Sequence, residues 1–184
     1  GNKEHSLRLG KILRNYYDIV KNPTFFAYGI SGSITYGSLF AYISGSPYVY
    51  MKVFGLGELQ YSWAFGLNAL GWIIGSQTNR YWLKKTNNHR ITITALLCLL
   101  FISILLTLGI GMNLFLPVMS MFLIFCFVSF LGIINPNTVA LAMEPFANNA
   151  GSASALMGSI QMAVSALVSA LVSAHSDNSA LPMV

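Results

Sequence analysis

Long apolar runs alternate with short polar segments along this chain. Five runs cover about 24–44, 60–78, 91–110, 114–143 and 151–174. About 20 apolar residues in a helix cross the ~30 Å of hydrocarbon in a bilayer, so each run predicts a span, the second only just. The runs lack the period-two alternation and regular turn signals of membrane strands, which predicts helices. Residues 1–22 are different. Leu9, Ile12, Leu13 and Tyr16 share one helical face, while Arg8, Lys11 and Arg14 fall mostly elsewhere. Such a basic amphipathic segment lies at headgroup level, and Asn22-Pro23 ends it because a residue before proline disfavours the helical region. Residues 175–184 read as a short polar loop followed by the opening of another apolar run, so the pattern predicts a sixth span whose remainder is missing.

Composition sharpens the fold class. Of 184 residues, 55% are hydrophobic and only 8% charged, with a mean hydropathy of +0.63. A water-soluble domain needs roughly 25% charged residues to solvate its surface. The expected class is therefore an all-α membrane protein with five transmembrane helices, divided into a linker at 1–22 and a membrane domain at 23–184. Cys98 and Cys126 both fall in apolar runs and are expected as reduced thiols, with no disulfide or metal framework.

The net charge of +5 comes from ten basic residues with a marked asymmetry. With five spans, the tail and the loops 79–90 and 144–150 share one side. That side holds Lys3, Arg8, Lys11, Arg14, Lys21, Arg80, Lys84, Lys85 and Arg90, and the other side holds Lys52. The positive-inside rule then makes the N-terminus cytoplasmic. No dense basic stripe is present, so nucleic acid is not an expected partner; the lipid bilayer is.

The spans differ in what they offer neighbours. The third, rich in leucine and isoleucine, can face lipid all round. The first has small residues at every fourth position (Gly29, Ser33, Gly37, Ala41 and Gly45), the second carries Gly71 and Gly75, and the fifth repeats SALV, stacking Ser165, Ser169 and Ser173. Helices in lipid associate where such columns let backbones approach. Gly29, Gly37, Gly71, Gly75, Ser165 and Ser169 are the expected packing positions.

Candidate chemistry is sparse. No ionisable side chain lies near the middle of a span, where it would mark a proton or ion path. Glu144 reads as a helix-end carboxylate. His5, His89 and His175 fall in tails or loops, with no metal-ligand spacing. Neither GxSxG, HExxH, CxxC nor a phosphate loop occurs, and no acid–base pair is placed for catalysis, so no enzyme, cofactor or metal is expected. Uncharged polar groups do lie at membrane depth: Tyr28, Thr35 and Tyr36 on the first span, Asn68 with Trp72 on the second, and Asn135-Pro136-Asn137 interrupting the fourth. An unpaired amide in hydrocarbon costs several kcal/mol, so these groups should face protein or water. Tyr28, Thr35, Tyr36, Asn68, Trp72 and Asn135 are the substrate-cavity candidates, with interhelical hydrogen bonding as the plainer alternative.

Three stretches carry a family resemblance. Tyr42-Ile43-Ser44-Gly45-Ser46-Pro47-Tyr48-Val49-Tyr50, Phe54-Gly55 and FGLNALG at 65–71 resemble the seventh-to-eighth helix region of the bicyclomycin- and chloramphenicol-resistance (Bcr/CflA) drug:proton antiporters of the major facilitator superfamily. The run from Glu144-Pro145-Phe146 through Leu156 is similar to the start of that family's eleventh helix. Gly75-Ser76-Gln77-Thr78-Asn79-Arg80 resembles the superfamily's G-x-x-x-D-R cytoplasmic loop motif, with Asn79 in place of the acid. The resemblance implies most of a C-terminal six-helix half, lacking its final helix and built from inverted three-helix repeats. It implies multidrug efflux in exchange for protons across a bacterial inner membrane. Small-molecule drugs, protons and an N-terminal transporter half would be the partners, with the coupling carboxylates largely in that other half. One half supplies one wall of the cavity, so the chain alone is not expected to transport. The competing expectation is a non-transporting scaffold or interaction subunit that grips another bundle through its small-residue columns.

Overall fold

The computed structural model describes residues 9–112 and 116–175. The expectations for 1–8, for 113–115 and for the tail beyond His175 lie outside the described residues, as do the side chains of 9–13. Described residues form α1 (Leu9–Lys21), α2 (Pro23–Pro47), α3 (Glu58–Trp82), α4 (Asn88–Gly111), α5 (Pro117–Met143) and α6 (Ala150–His175). A π-helical turn at Tyr48–Val53 extends α2, and a 3-10 turn at Glu144–Asn149 joins α5 to α6.

The boundaries follow local chemistry. Asn22 caps α2, its side-chain oxygen accepting from the Thr24 and Phe25 N–H groups at 3.0 and 3.1 Å, with Pro23 in the first turn. Asn87 caps α4 by accepting from the Arg90 N–H at 2.9 Å. Gly55, at φ +71°, reverses the chain after the π turn in a region that disfavours other residues.

Five of the helices have 24 to 27 residues. Asn88–Gly111, Pro117–Ala147 and Ala150–Ala174 are long and apolar enough to cross a membrane. α2 and α3 match them in length but are less apolar, α2 through its serines, glycines and tyrosines and α3 through its glycines, tyrosines and amides. Leu97, Leu100 and Phe101 on α4, Leu67 and Ile74 on α3, and Leu167 on α6 are each more than half exposed. Water would not tolerate so much bare apolar surface, whereas hydrocarbon solvates it. The protein is an all-α membrane protein.

The arrangement is built on α2 and α5, which pack against each other. Each carries a flanking helix, α6 on α2 and α3 on α5, and α4 lies against a further face of α5. α1 tucks beneath the start of α2 and α6, with Ile19 buried beside Phe25, Ala153 and Met157. Two sequence expectations need correction. α4 does not face lipid all round: Ile91, Ala95, Ile102 and Leu106 are buried against the bundle, because a uniformly apolar helix suits protein and lipid alike. Nor does Asn135-Pro136-Asn137 interrupt the fourth span. α5 runs unbroken through Pro136, where the residue four positions back, whose carbonyl a proline ring crowds, is Gly132. Cys98 and Cys126 are unpaired and half-buried.

Candidate functional site

The π turn after α2 brings its tyrosines back over α3. Asn68, in the third turn of α3, is 2% exposed, and its amide nitrogen donates to the hydroxyls of Tyr42 and Tyr50 at 2.9 Å each. Both donor positions of one amide are thus used by two buried phenols. Phe65 stacks on Tyr42 at 5.8 Å between ring centroids, and Tyr61 meets Tyr50 edge-on at 5.9 Å. The Tyr61 hydroxyl pairs with the Ser46 hydroxyl at 3.0 Å. Asn68 and Tyr50 also line a cleft of about 400 Å³ between α3 and the first turns of α5, walled by Met121, Phe122 and Phe125. The arrangement suits an aromatic or amphipathic guest. It offers flat apolar walls and a few fixed hydroxyl and amide dipoles, with no ionised group among its lining residues.

A second polar cluster occupies the opposite ends of the same helices. Asn79 and Asn137 exchange two hydrogen bonds, each amide nitrogen donating to the other's oxygen at 2.9 and 2.8 Å. Both residues are buried. The Asn88 side chain reaches the Asn137 carbonyl at 3.4 Å. Between the two clusters, α3 and α5 touch at backbone distance. A Cβ on Gly75 would run into the Ser129 carbonyl, and one on Gly132 into the carbonyl of Trp72. Gly71 faces the Ser129 hydroxyl and the Phe125 ring in the same way.

The predicted site residues do not form one group. Asn68 sits in the aromatic cluster, and half-buried Trp72 packs against that same core. Tyr28 lies at the other end of α2, its hydroxyl paired with Nδ1 of His89, so His89 is a partnered side chain and not a purely solvated one. Thr35 is buried and donates to the Ser31 carbonyl of its own helix. Tyr36 is half-buried against Phe40. Asn135 is half-buried, with its carbonyl accepting from the Thr138 hydroxyl at 3.0 Å; the amide that bridges helices is Asn137.

The motif residues Gly75, Asn79 and Arg80 belong to α3, whose helix runs on to Trp82. Asn79 faces α5, and exposed Arg80 turns back to Gln77. Among the expected packing positions, a Cβ on Gly37 would crowd Val164 at 3.1 Å, whereas one on Gly29 would make only ordinary contacts. Ser169 accepts from Ser44 across the α2–α6 seam at 2.9 Å, and Ser165 donates to its own helix at Gln161.

Sequence reasoning passed over three participants. Tyr42, on α2, and Tyr50, on the π turn, look like ordinary interface aromatics until the fold brings both hydroxyls to Asn68. Gln161, midway along α6, is 9% exposed, and its amide nitrogen has no hydrogen-bond partner among the described residues. The rule that singled out Asn68, an amide at membrane depth, applies equally to Gln161.

The Major Facilitator Superfamily model matches residues 2–169. The chain belongs to that superfamily. It is 29% identical over 177 residues to the uncharacterized MFS-type transporter YdgK of Bacillus subtilis (strain 168), covering 95% of this chain and 43% of that protein. It is also 29% identical over 177 residues to the bicyclomycin resistance protein homolog of Haemophilus influenzae (strain ATCC 51907 / DSM 11121 / KW20 / Rd), covering 96% of this chain and 44% of that protein. No solved structure gives a significant match. The chain therefore spans less than half the length of these curated relatives. Proteins of that superfamily are transporters and not enzymes.

Proposed function

We propose that this chain is most of the C-terminal half of a Bcr/CflA-type multidrug efflux transporter, with α2 to α6 corresponding to the seventh to eleventh helices. In that reading 1–22 is the cytoplasmic linker and 23–184 belongs to the membrane half-domain. The whole protein exports amphipathic or aromatic drugs in exchange for protons across a bacterial inner membrane. The nine-to-one split of basic residues supports a cytoplasmic N-terminus. The name of the Haemophilus influenzae relative supports drug export. The observation that carries the reading is the cleft lined by Asn68 and Tyr50, where an amide and a phenol, tied to each other and to the buried Tyr42, are fixed against phenylalanine walls.

The chain has no Asp or Glu between Glu58 and Glu144, so α4, α5 and nearly all of α3 bring no proton carrier. An N-terminal half would supply it, along with the facing wall of the cavity. Alternating access works by rocking one half against the other around a midplane site. This half alone is not transport-competent.

Asn68→Leu in the full-length protein tests the reading. It should lower resistance to a subset of aromatic drugs at least severalfold while membrane levels stay normal. Tyr50→Phe, which removes one hydroxyl and little volume, should alter the drug profile in the same direction. Unchanged resistance across a drug panel, at normal membrane levels, would remove Asn68 from the cavity. A parent protein that is well inserted yet confers no resistance would favour the scaffold.

A further inference from the structure

We propose that the groove between the adjoining ends of α3 and α4 binds an anionic phospholipid of the neighbouring leaflet. The groove has a volume of about 530 Å³ and two chemically distinct parts. At its mouth stand Trp82, Lys85, Thr86 and Arg90. Deeper in, Ile91, Ala95, Cys98 and Phe130 make a mainly apolar channel, with Thr94 contributing its one hydroxyl.

Charge complementarity identifies the occupant. Arg80, Lys84, Lys85 and Arg90 cluster within eleven residues, and no carboxylate occurs between Glu58 and Glu144. Glu58 begins α3 at its other end, and Glu144 lies in the 3-10 turn that packs on α5 and α6, away from this groove. Among the described contacts, Lys85 lies 4.5 Å from the centroid of the Tyr81 ring, and Arg80 leans on Gln77. Neither contact neutralises charge. Basic clusters at a membrane surface attract anionic headgroups, and basic pockets between transmembrane helices hold them in place.

The apolar part decides between a lipid and a free anion. Arg90 and Cys98 are eight residues apart on α4, about 12 Å along the axis at the helical rise. A phosphate held by Lys85 and Arg90 therefore has its first acyl methylenes alongside Ile91 and Ala95, with Cys98 and Phe130 below. Trp82, 42% exposed at the mouth, has the amphipathic ring that prefers headgroup depth. A soluble anion would leave this channel unused.

The test is native mass spectrometry of the full chain in mild detergent, titrated with dioleoyl phosphatidylglycerol or dioleoyl phosphatidylcholine. The parent should retain phosphatidylglycerol preferentially. Lys85→Gln and Arg90→Gln should each weaken that binding about fivefold, the loss expected for one cation near the surface. Both side chains are exposed, so neither variant threatens the fold. Cys98→Phe, which fills the channel without changing charge, should also weaken it, whereas Lys52→Gln should leave it unchanged. Equal retention of the two lipids would overturn the proposal, as would undiminished phosphatidylglycerol binding in the double Lys85→Gln/Arg90→Gln variant. Displacement of the lipid by millimolar inorganic phosphate would overturn it too, leaving a simple anion site.

Discussion

The α3–α5 seam and the α2–α6 seam occupy matching places on the two central helices, yet they are made differently. α3 and α5 meet backbone to backbone at Gly75, against the Ser129 carbonyl, and at Gly132, against that of Trp72, while Gly71 makes room for the Ser129 and Phe125 side chains. The Asn79–Asn137 pair bolts one end. α2 and α6 meet through side chains: Gly37 opposite Val164, Gly32 opposite the flexible end of Met157 as well as Thr138 of α5, and one hydroxyl pair, Ser44 with Ser169. That seam also buries the unpaired amide nitrogen of Gln161. Backbone contact tolerates no sliding, because every shift drives a carbonyl into a neighbouring helix. Flexible side chains and an unsatisfied donor leave room for rearrangement. The contrast makes α3–α5 the rigid element of this half and α2–α6 the adjustable one.

Bulk at the glycines breaks the comparison most violently. Gly75→Leu should cost about 3 kcal/mol or more, since the Ser129 carbonyl cannot move aside without moving α5. Loss of monodisperse protein in detergent, or a collapse in thermal stability, would register it. Gly29→Ala, on the other seam, meets only ordinary contacts and gains helix propensity, so it should be neutral or stabilising by up to about 1 kcal/mol. Equal damage from the two changes would mean the seams do not differ.

The amide pair gives an intermediate effect. Asn79→Leu strands the Asn137 amide in a buried site, at a cost of about 1–3 kcal/mol. Asn79→Leu combined with Asn137→Leu removes both polar groups and should recover much of the loss. Such non-additivity is what contact between the two residues requires. Strictly additive losses in thermal unfolding would show that the two amides act separately.

Much of this was legible in the sequence, but unevenly. The five runs, Asn68 and the Gly71/Gly75 pair could be read directly, because hydrophobic length, a lone amide and GxxxG spacing are local signals. Their ranking was not legible. Gly29 and Gly75 look alike in the chain, and only the Ser129 backbone across the seam makes Gly75 irreplaceable. Asn79 read as a loop residue standing in for an acid, because its partner lies 58 positions away. Of the two hydroxyls on Asn68, that of Tyr50 depends on the π turn at 48–53, which no periodicity announces. Gln161 was legible by the rule that found Asn68, but its setting of alanine, serine and methionine made it look like filler.

Gln161 sharpens the comparison with the smallest effect. A buried donor without an acceptor is destabilising, so Gln161→Met, close in volume and free of the polar group, should raise stability by about 1 kcal/mol. The corresponding change on the rigid side, Asn68→Leu, should lower stability, because it breaks two hydrogen bonds to Tyr42 and Tyr50. Opposite signs for two amide-to-apolar changes at similar burial cannot arise from hydrophobicity alone, since both variants are more apolar than the parent. They require that one amide is satisfied in this conformation and the other is not. Thermal unfolding of both variants in the same detergent decides the matter. If Gln161→Met also destabilises, its amide is satisfied after all, and the case for α2–α6 as the adjustable seam rests on Met157 and Val164 alone. If it stabilises the protein but slows transport by the full-length protein, Gln161 finds its acceptor in another state of the cycle, and the adjustable seam is the one that moves.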